Sequence, residues 1–293
     1  MTELAAGPAA EVAVAVVRPG STASWRLLLR RPTFLAGAAM LLFWLVCALF
    51  GSSIAPHDAF AQQLLATNHG PSGTYWFGTD QIGRDVLSRV IVGSRDILIV
   101  AALATVLGTT VGTALGLLMG YFGGIADLLV GRVVEAVLAL PVVIVAFLFI
   151  VALGPSMLTL IIVIGFVFTP LIARTVRSAV LVESQLDYLS SARLLGENSV
   201  RVMFVEILPN VVPVILVEFT VRLGYAIFVV ATLSFLGFGI QPPTPDWGSD
   251  IAANYGLLPA GYWWETLFPA LAIASLVVAV NLVTDSIEQV LAS

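Results

Sequence analysis

Long apolar runs alternate with short polar segments along this 293-residue chain. A helix of about 20 apolar residues is enough to cross the ~30 Å hydrocarbon core of a bilayer. The pattern therefore predicts an all-α integral membrane protein with six transmembrane helices. The predicted order is a tail 1–32, a first transmembrane helix 33–55, a polar segment 56–96 and a core 97–293 with five further transmembrane helices.

The core contains one sizeable polar interruption, which we call the central loop and place at residues 183–210. Its second half predicts an amphipathic helix, because apolar residues recur there at helical spacing. These residues are Val200, Met203, Phe204, Ile207 and Leu208. We expect a turn at Gly196, and we expect Pro209 to end the second helix because proline lacks the N–H that a helix needs.

The polar segment 56–96 predicts a short helix lying on the membrane surface. Its apolar face begins at Ile82 and continues through Val86, Leu87, Val90 and Ile91. Asp85 and Arg89 are four residues apart, so we expect them to form a weak ion pair. An ordinary helix facing solvent fits this pattern equally well.

The second span, about 97–121, has a glycine at every fourth position. Gly108, Gly112, Gly116 and Gly120 therefore share one side of the helix, where the missing Cβ atoms let another backbone approach closely. We predict that these four residues pack against a second helix. The sequence does not say which helix that is.

Two features shape the remaining spans. Gly154-Pro155 predicts a tight turn between the third and fourth spans, and Pro141 and Pro170 predict kinks within them. Glu218 and Arg222 lie inside the fifth span, about 211–234, and charged residues in a membrane helix are paired, face the interior or are functional. Their i, i+4 spacing allows a structural pair, while a lining of a polar path stays the alternative.

A glycine- and proline-rich turn follows the fifth span, from Leu233 to Gly248. The next loop is rich in aromatic residues, which we expect at a membrane interface. They are Trp247, Tyr255, Tyr262, Trp263 and Trp264. The last span covers about 266–284.

Composition sharpens the class and excludes several functions. The chain is 59% hydrophobic and only 11% charged, whereas soluble domains are about one-quarter charged. All 13 basic residues are arginine, so this sequence has no GxxxxGK[ST] nucleotide loop, Schiff-base lysine or Ser–Lys dyad. The two histidines, His57 and His69, exclude an HExxH metal motif, and we predict neither a metal site nor a catalytic residue.

The arginines also predict the orientation of the chain. With the tail placed inside, nine arginines fall on inner segments and three on outer segments. The inner ones are Arg18, Arg26, Arg30, Arg31, Arg132, Arg174, Arg177, Arg193 and Arg201; the outer ones are Arg84, Arg89 and Arg95. This is the positive-inside bias, so we expect the central loop and both termini in the cytoplasm.

The central loop resembles the cytoplasmic coupling loop of ABC-importer permeases. That pattern is Glu-Ala-Ala, three residues, Gly, nine residues, then Ile-x-Leu-Pro. Ser190-Ser191-Ala192, Gly196 and Leu208-Pro209 fall in this register, while the usual Glu-Ala is replaced by the two serines and Glu206 replaces isoleucine. The resemblance implies an ATPase-coupling surface with a coupling helix at 186–195. Its candidate residues are Asp187, Tyr188, Ser190, Ser191, Ala192, Arg193, Gly196, Leu208 and Pro209.

More specific motifs resemble the C-type permease subunit of dipeptide and oligopeptide importers. They are the GTDxxGRDxxSR run from Gly78 to Arg89 and the LSFLGFGIQPPTPDWG run from Leu233 to Gly248. Leu140-Pro141, Phe268-Pro269 and the spacing of Asn281 and Asp285 add to them, and the resemblance extends from about residue 30 to the end.

The resemblance implies a type I importer in the bacterial cytoplasmic membrane. The partners it implies are a homologous second permease, two ATPase subunits and an extracytoplasmic binding protein, with the lipid bilayer around them and no nucleic acid. ATP and magnesium would be bound by the ATPase subunits, and this chain would be non-catalytic with no cofactor of its own. The cargo implied is short peptides, with nickel, haem, glutathione or sugar as alternatives.

Two other classes fit the sequence less well. An ion-coupled secondary transporter normally needs an acidic relay inside the membrane, for which Glu218 and Arg222 are a thin candidate. An intramembrane enzyme would need paired aspartates, zinc-ligand spacing or a nucleophile and base, and the sequence contains no convincing example.

Overall fold

The computed structural model describes residues 28–189 and 196–291. Its main elements are helices, and within the described residues β-structure is limited to one isolated bridge between Thr79 and Asp85. The helices are α1 (Pro32–Ile54), α2 (Val86–Phe122), α3 (Gly124–Leu138), α4 (Val142–Leu153), α5 (Met157–Glu183), α6 (Ser199–Phe235), α7 (Trp247–Asn254) and α8 (Trp264–Leu291). The predicted all-α class is confirmed.

Five helices are long and apolar enough to cross a membrane, namely α1, α2, α5, α6 and α8. The helices α3 and α4 meet at 90°, and their 15 and 12 residues give lengths of only ~22 and ~18 Å at 1.5 Å per residue. Counted as one broken span, they bring the total to six. The break falls at Pro141, directly before α4, so the proline expected to kink this span interrupts it.

The glycine face of α2 packs against α5, and the two helices run parallel. A Cβ atom added at Gly108 would lie 2.9 Å from the carbonyl oxygen of Gly165, and one added at Gly120 would lie 2.6 Å from Cβ of Val180. The same holds for Gly112 and Gly116. The close approach thus extends over more than three turns, and it assigns the partner helix that the sequence left open.

The separate surface helix expected within 56–96 is wrong. The helix begins at Val86, where the Asp85 side chain caps it by accepting a hydrogen bond from the Ser88 backbone N–H, and it continues without a break to Phe122. Its 37 residues span ~56 Å. The polar residues at its start are therefore the end of a long membrane helix that projects beyond the ~30 Å hydrocarbon core.

The two long connections, residues 55–85 and 236–263, pack together at one end of the helices, and we call them the cap. Trp247 is 1% exposed and donates a hydrogen bond from Nε1 to the carbonyl oxygen of Val90 at 2.9 Å. Trp264 is also buried and donates to the carbonyl oxygen of Thr79 at 3.1 Å. These two rings, expected among lipid head groups at a membrane interface, are instead buried within the protein, where they anchor the cap to the helices.

Candidate functional sites at the central loop and the cap

The central loop begins where α5 ends, at Glu183. Residues 187–189 are helical, and Leu189 is fully buried. The candidate residues Ser190, Ser191, Ala192 and Arg193 lie outside the described residues. The described part of the loop therefore consists of its two ends, which connect it to α5 and α6.

A hydrogen-bonded cluster joins both ends of the loop. The Tyr188 hydroxyl donates to Glu183 Oε1 at 2.5 Å, and Asn210 Nδ2 donates to the same oxygen at 2.8 Å and to the Tyr188 hydroxyl at 2.9 Å. Partial burial, followed by the hydrogen bond to Glu183, raises the pKa of Tyr188 to about 12. The phenol is thus a stable donor at neutral pH, and it connects α5, the start of the loop and α6.

Gly196 adopts a backbone conformation that suits glycine. Its φ angle is +74°, a region in which other residues are strained by roughly 1–2 kcal/mol. The helix α6 then starts at Ser199, and the Asn198 side chain caps it by accepting the Val200 N–H at 2.9 Å. The predicted turn at Gly196 therefore has a physical requirement for glycine.

The expected helix end at Pro209 is wrong. Residues Val202–Ile207 form a π-helical stretch, and the helix runs through Leu208 and Pro209 to Phe235. A proline clashes with the carbonyl four residues earlier, and a local π-turn is one way that a helix can absorb such a break.

The π-helical stretch also alters the predicted apolar stripe. Met203 and Ile207 are buried as expected, but Val200 and Phe204 are 57% and 52% exposed, while Val202 is fully buried. The wider winding of a π-turn rotates Phe204 and the residues after it relative to an ideal α-helix. Val200 precedes the π-helical stretch, so this rotation does not explain its exposure. The regular spacing of apolar residues in the sequence therefore predicts the burial of only part of this face.

Glu218 and Arg222 form an ion pair along one side of α6. Arg222 Nε donates to Glu218 Oε1 at 2.7 Å, and both side chains are largely buried. The guanidinium also lies 5.7 Å from the centre of the Tyr225 ring, within the range of a cation–π contact. The spacing that suggested a pair thus corresponds to a real contact inside the span.

A buried ion pair that sequence reasoning missed joins α2 to the cap. Arg89 Nη2 donates to Asp250 Oδ1 at 2.6 Å, and Nε contacts both carboxylate oxygens at 3.1 Å. Arg89 is 4% and Asp250 6% exposed. This pair ties the GTDxxGRDxxSR run to α7, which begins at the end of the QPPTPDWG run.

The expected pairing of Asp85 with Arg89 is wrong. The Asp85 carboxylate instead accepts hydrogen bonds from the Ser88 hydroxyl and backbone and contacts His57 Nδ1 at 3.2 Å. The i, i+4 spacing offered a local partner, whereas the actual partner of Arg89 is 161 residues away in sequence. One sequence signal could have suggested this distant partner: Asp250 follows closely after the glycine- and proline-rich run that ends at Gly248.

Asp246 links the run from Leu233 to Gly248 to the end of α6. Its carboxylate accepts the Ser249 N–H at 2.8 Å, which caps α7, and the Ser234 hydroxyl at 3.1 Å. Burial raises the pKa of Asp246, although these hydrogen bonds oppose the shift. Within the described residues, no group of three or more His, Cys, Asp or Glu side chains could hold a metal ion.

The fold and these two sites define a multi-pass helical membrane protein with a polar loop at one end of the helices and a closed cap at the other. The sequence model of the binding-protein-dependent transport system inner membrane component family matches residues 112–293. The model of the N-terminal TM domain of oligopeptide transport permease C matches residues 21–71.

Individual relatives match almost the whole chain. The dipeptide transport system permease protein DppC of Bacillus subtilis (strain 168) is 35% identical over 270 residues, which cover 92% of this chain and 84% of the relative. The di/tripeptide transport system permease protein DppC of Pseudomonas aeruginosa (strain UCBPP-PA14) is 34% identical over 91% of this chain and 90% of its own length. The glutathione transport system permease protein GsiD of Escherichia coli O157:H7 is 38% identical over 91% of this chain and 88% of its own length. This chain belongs to the binding-protein-dependent transport system inner membrane component family, in its dipeptide and oligopeptide branch.

Proposed function

We propose that this chain forms one half of the transmembrane pathway of an ATP-driven importer for short peptides. The observation that carries the proposal is the similarity to two peptide-transport permeases over 91–92% of the chain. Such a match includes the cap, the spans and the central loop together. It therefore concerns the whole architecture and not one motif.

The motor of this importer would be on other chains. This sequence contains no lysine among its 13 basic residues, so it cannot supply the lysine of a phosphate-binding loop. We propose two ATPase subunits that bind ATP and magnesium, a homologous second permease and an extracytoplasmic binding protein. In this assembly the chain is non-catalytic.

The arginine distribution supports an orientation with the central loop and both termini in the cytoplasm of a bacterium. The cap then faces the binding protein on the outer side. Closure of the ATPase dimer would push on the central loop at the opposite end. The pathway would alternate between outward and inward access in response.

The described ends of the loop suggest how that movement enters the membrane. Asn210 on α6 and Glu183 on α5 both bond to Tyr188, so a displaced loop would move two membrane helices together. Hydrogen bonds of this kind contribute ~0.5–1.5 kcal/mol each. The cluster is therefore strong enough to transmit a displacement while remaining reversible.

The second candidate cargo is glutathione, which is favoured by the 38% identity to glutathione permeases. Competition for uptake distinguishes the two. Proteoliposomes with the whole complex and its binding protein would be supplied with a labelled dipeptide, and unlabelled glutathione, dipeptides, haem, nickel or sugar would be added in excess.

Our proposal expects inhibition by unlabelled dipeptides only. If no dipeptide uptake is found, labelled glutathione, nickel, haem or sugar is supplied instead, and uptake of one of them would transfer the assignment to that cargo. Uptake that persists without ATP but collapses when an ion gradient is removed would instead indicate a secondary transporter.

A further inference from the structure

An arginine-lined cavity of about 300 Å³ lies between α3 and α5, near the end of the helices that carries the central loop. Its charged lining consists of Arg132, Arg174, Arg177, Asp127 and Glu135. Arg177 is engaged already, because Nε and Nη2 donate to the two Asp127 carboxylate oxygens at 2.5 and 2.6 Å. Among the described residues, the guanidinium groups of Arg132 and Arg174 have no hydrogen-bond or ion-pair partner, although the Arg174 backbone carbonyl accepts from the Ser178 hydroxyl.

The charges of this lining do not cancel. Three arginines against two carboxylates leave a formal charge of +1, and the two arginines without a partner lie on different helices. A phosphate group placed between them would join α3 to α5 through charge-assisted hydrogen bonds, for which guanidinium geometry is well suited. A volume near 300 Å³ is at the lower end of ordinary ligand sites.

A second cavity of about 280 Å³ adjoins the first and has the opposite character. Val134 lines both cavities, and the second is otherwise lined by leucine, valine, phenylalanine and proline side chains and by Thr169. The Thr169 hydroxyl donates to the carbonyl oxygen of Gly165 at 2.9 Å, so it offers no free donor. The second cavity thus suits a hydrocarbon chain.

The order of the two cavities along α5 matches the order within a bilayer. The apolar cavity contacts Phe166 and Pro170, and the polar cavity contacts Arg174 and Arg177. Pro170 and Arg174 are four residues apart, or ~6 Å along the helix axis. In the orientation proposed above, the charged cavity lies toward the cytoplasmic surface and the apolar cavity lies deeper in the membrane.

We propose that the paired cavities bind one anionic phospholipid of the cytoplasmic leaflet. Its phosphate contacts Arg132 and Arg174, and one acyl chain occupies the apolar cavity. Basic pockets between membrane helices on the cytoplasmic side are suited to lipid head groups. A free phosphate would satisfy the arginines but would leave the adjoining apolar cavity without a role. The bound lipid holds the bent α3–α4 pair against α5.

The test uses the full chain in nanodiscs and requires neither ATP nor transport, so its outcome is independent of the proposed cargo. Native mass spectrometry measures retained phosphatidylglycerol in discs that also contain phosphatidylethanolamine. The variant is Arg132→Gln with Arg174→Gln. The matched control is Arg30→Gln with Arg95→Gln, which removes the same charge from two exposed arginines outside the cavity. A lysine pair at 132 and 174 checks that the fold tolerates substitution there.

We expect the glutamine pair to lower phosphatidylglycerol retention by about tenfold or more, with the control unchanged and the lysine pair intermediate. Substituting Val134→Phe, which fills the boundary between the cavities, is also expected to lower retention. If millimolar inorganic phosphate displaces phosphatidylglycerol and Val134→Phe does not change retention, the ligand of the site would be a free anion and not a lipid. Equal retention in the glutamine pair and its control would overturn the proposal.

Discussion

At the scale of single residues, two buried ion pairs hold oppositely charged side chains at hydrogen-bond distance. Glu218 and Arg222 neutralise each other inside α6, and Arg89 and Asp250 do so where α2 meets the cap. A buried pair contributes little net stability compared with apolar residues, whereas removal of one partner leaves an uncompensated charge. Single and double substitutions at these sites should therefore differ in a characteristic way.

The first prediction concerns Glu218 and Arg222. Glu218→Gln alone should lower the yield of folded protein in the membrane more than the double change Glu218→Leu with Arg222→Met, because only the single change leaves a buried charge unpaired. Fluorescence-detected gel filtration of detergent extracts measures the yield. Normal yield of Glu218→Gln and of Arg222→Met alone, combined with an altered cargo range, would support the pathway interpretation instead.

A second prediction at this scale concerns the close approach of α2 and α5. A Cβ atom at Gly112 would lie 2.8 Å from Cβ of Ile172, so Gly112→Ala should destabilise the protein by about 1–3 kcal/mol through overpacking. The matched control is Gly256→Ala, since no atom lies within 4 Å of a Cβ there. Thermal unfolding of the purified protein compares the two, and equal midpoints would contradict a tight α2–α5 contact.

At the scale of elements, the central loop and the cap connect helices that are distant in sequence. Tyr188 and Asn210 connect α5 to α6 at one end, and Arg89 and Asp250 connect α2 to α7 at the other. Polar contacts of this kind fix the positions of the connected helices relative to each other. Each connection can be removed separately.

The connection at the central loop gives the third prediction. Asn210→Leu removes the bonds to Tyr188 and Glu183 without adding charge, so transport should fall several-fold relative to the ATP hydrolysed by the complex. Thr220→Val is the control, because the Thr220 hydroxyl bonds only within its own helix, to the carbonyl oxygen of Val217. Both rates are measured on the same proteoliposomes, and an unchanged ratio for Asn210→Leu would exclude the cluster from coupling.

The connection at the cap gives the fourth prediction. Asp250→Asn should lower the free energy of unfolding by roughly 3–5 kcal/mol, because it leaves the buried Arg89 unpaired. Arg89→Met with Asp250→Leu should recover most of this loss. Asp58→Asn, an exposed change in the same cap, serves as the control. A double variant as unstable as Asp250→Asn would show that the pair is needed for more than charge balance.

Local sequence patterns predicted the elements of this protein better than their connections. The spans follow from runs of apolar residues, and the turn at Gly196 and the break at Pro141 follow from backbone restrictions that act on single residues. The partner of Arg89 could not be predicted, because Asp85 is a nearer acid in sequence and Asp250 approaches only when the cap folds. Trp247 and Trp264 were misplaced for the same reason, since composition cannot separate an interfacial ring from a buried one. At Pro209, a π-helical stretch replaced the expected end of the helix.

At the scale of the whole molecule, the central claim is that this chain converts ATP hydrolysis in partner subunits into peptide import through its central loop. In the orientation we propose, the two ends of the helices have separate tasks: the cap faces the outer side, and the loop contacts the ATPases. A change confined to the turn of the loop should leave the protein intact but disconnect it from its motor. The Gly196 turn permits such a change, because a Cβ atom there meets no other atom within 4 Å.

The most direct measurement is uptake of a labelled dipeptide by proteoliposomes that contain the whole complex, binding protein and ATP. Gly196→Trp introduces strain at φ +74° and a bulky ring at the coupling turn, while Gly154→Trp, at φ +85° and equally open, is the matched control at the turn between α4 and α5. We predict ATP-dependent uptake for the native chain and for the control. Gly196→Trp should insert normally into the membrane but lose both uptake and substrate-stimulated ATP hydrolysis. Normal substrate-stimulated hydrolysis in Gly196→Trp, or uptake by the native complex that does not require ATP, would contradict the account.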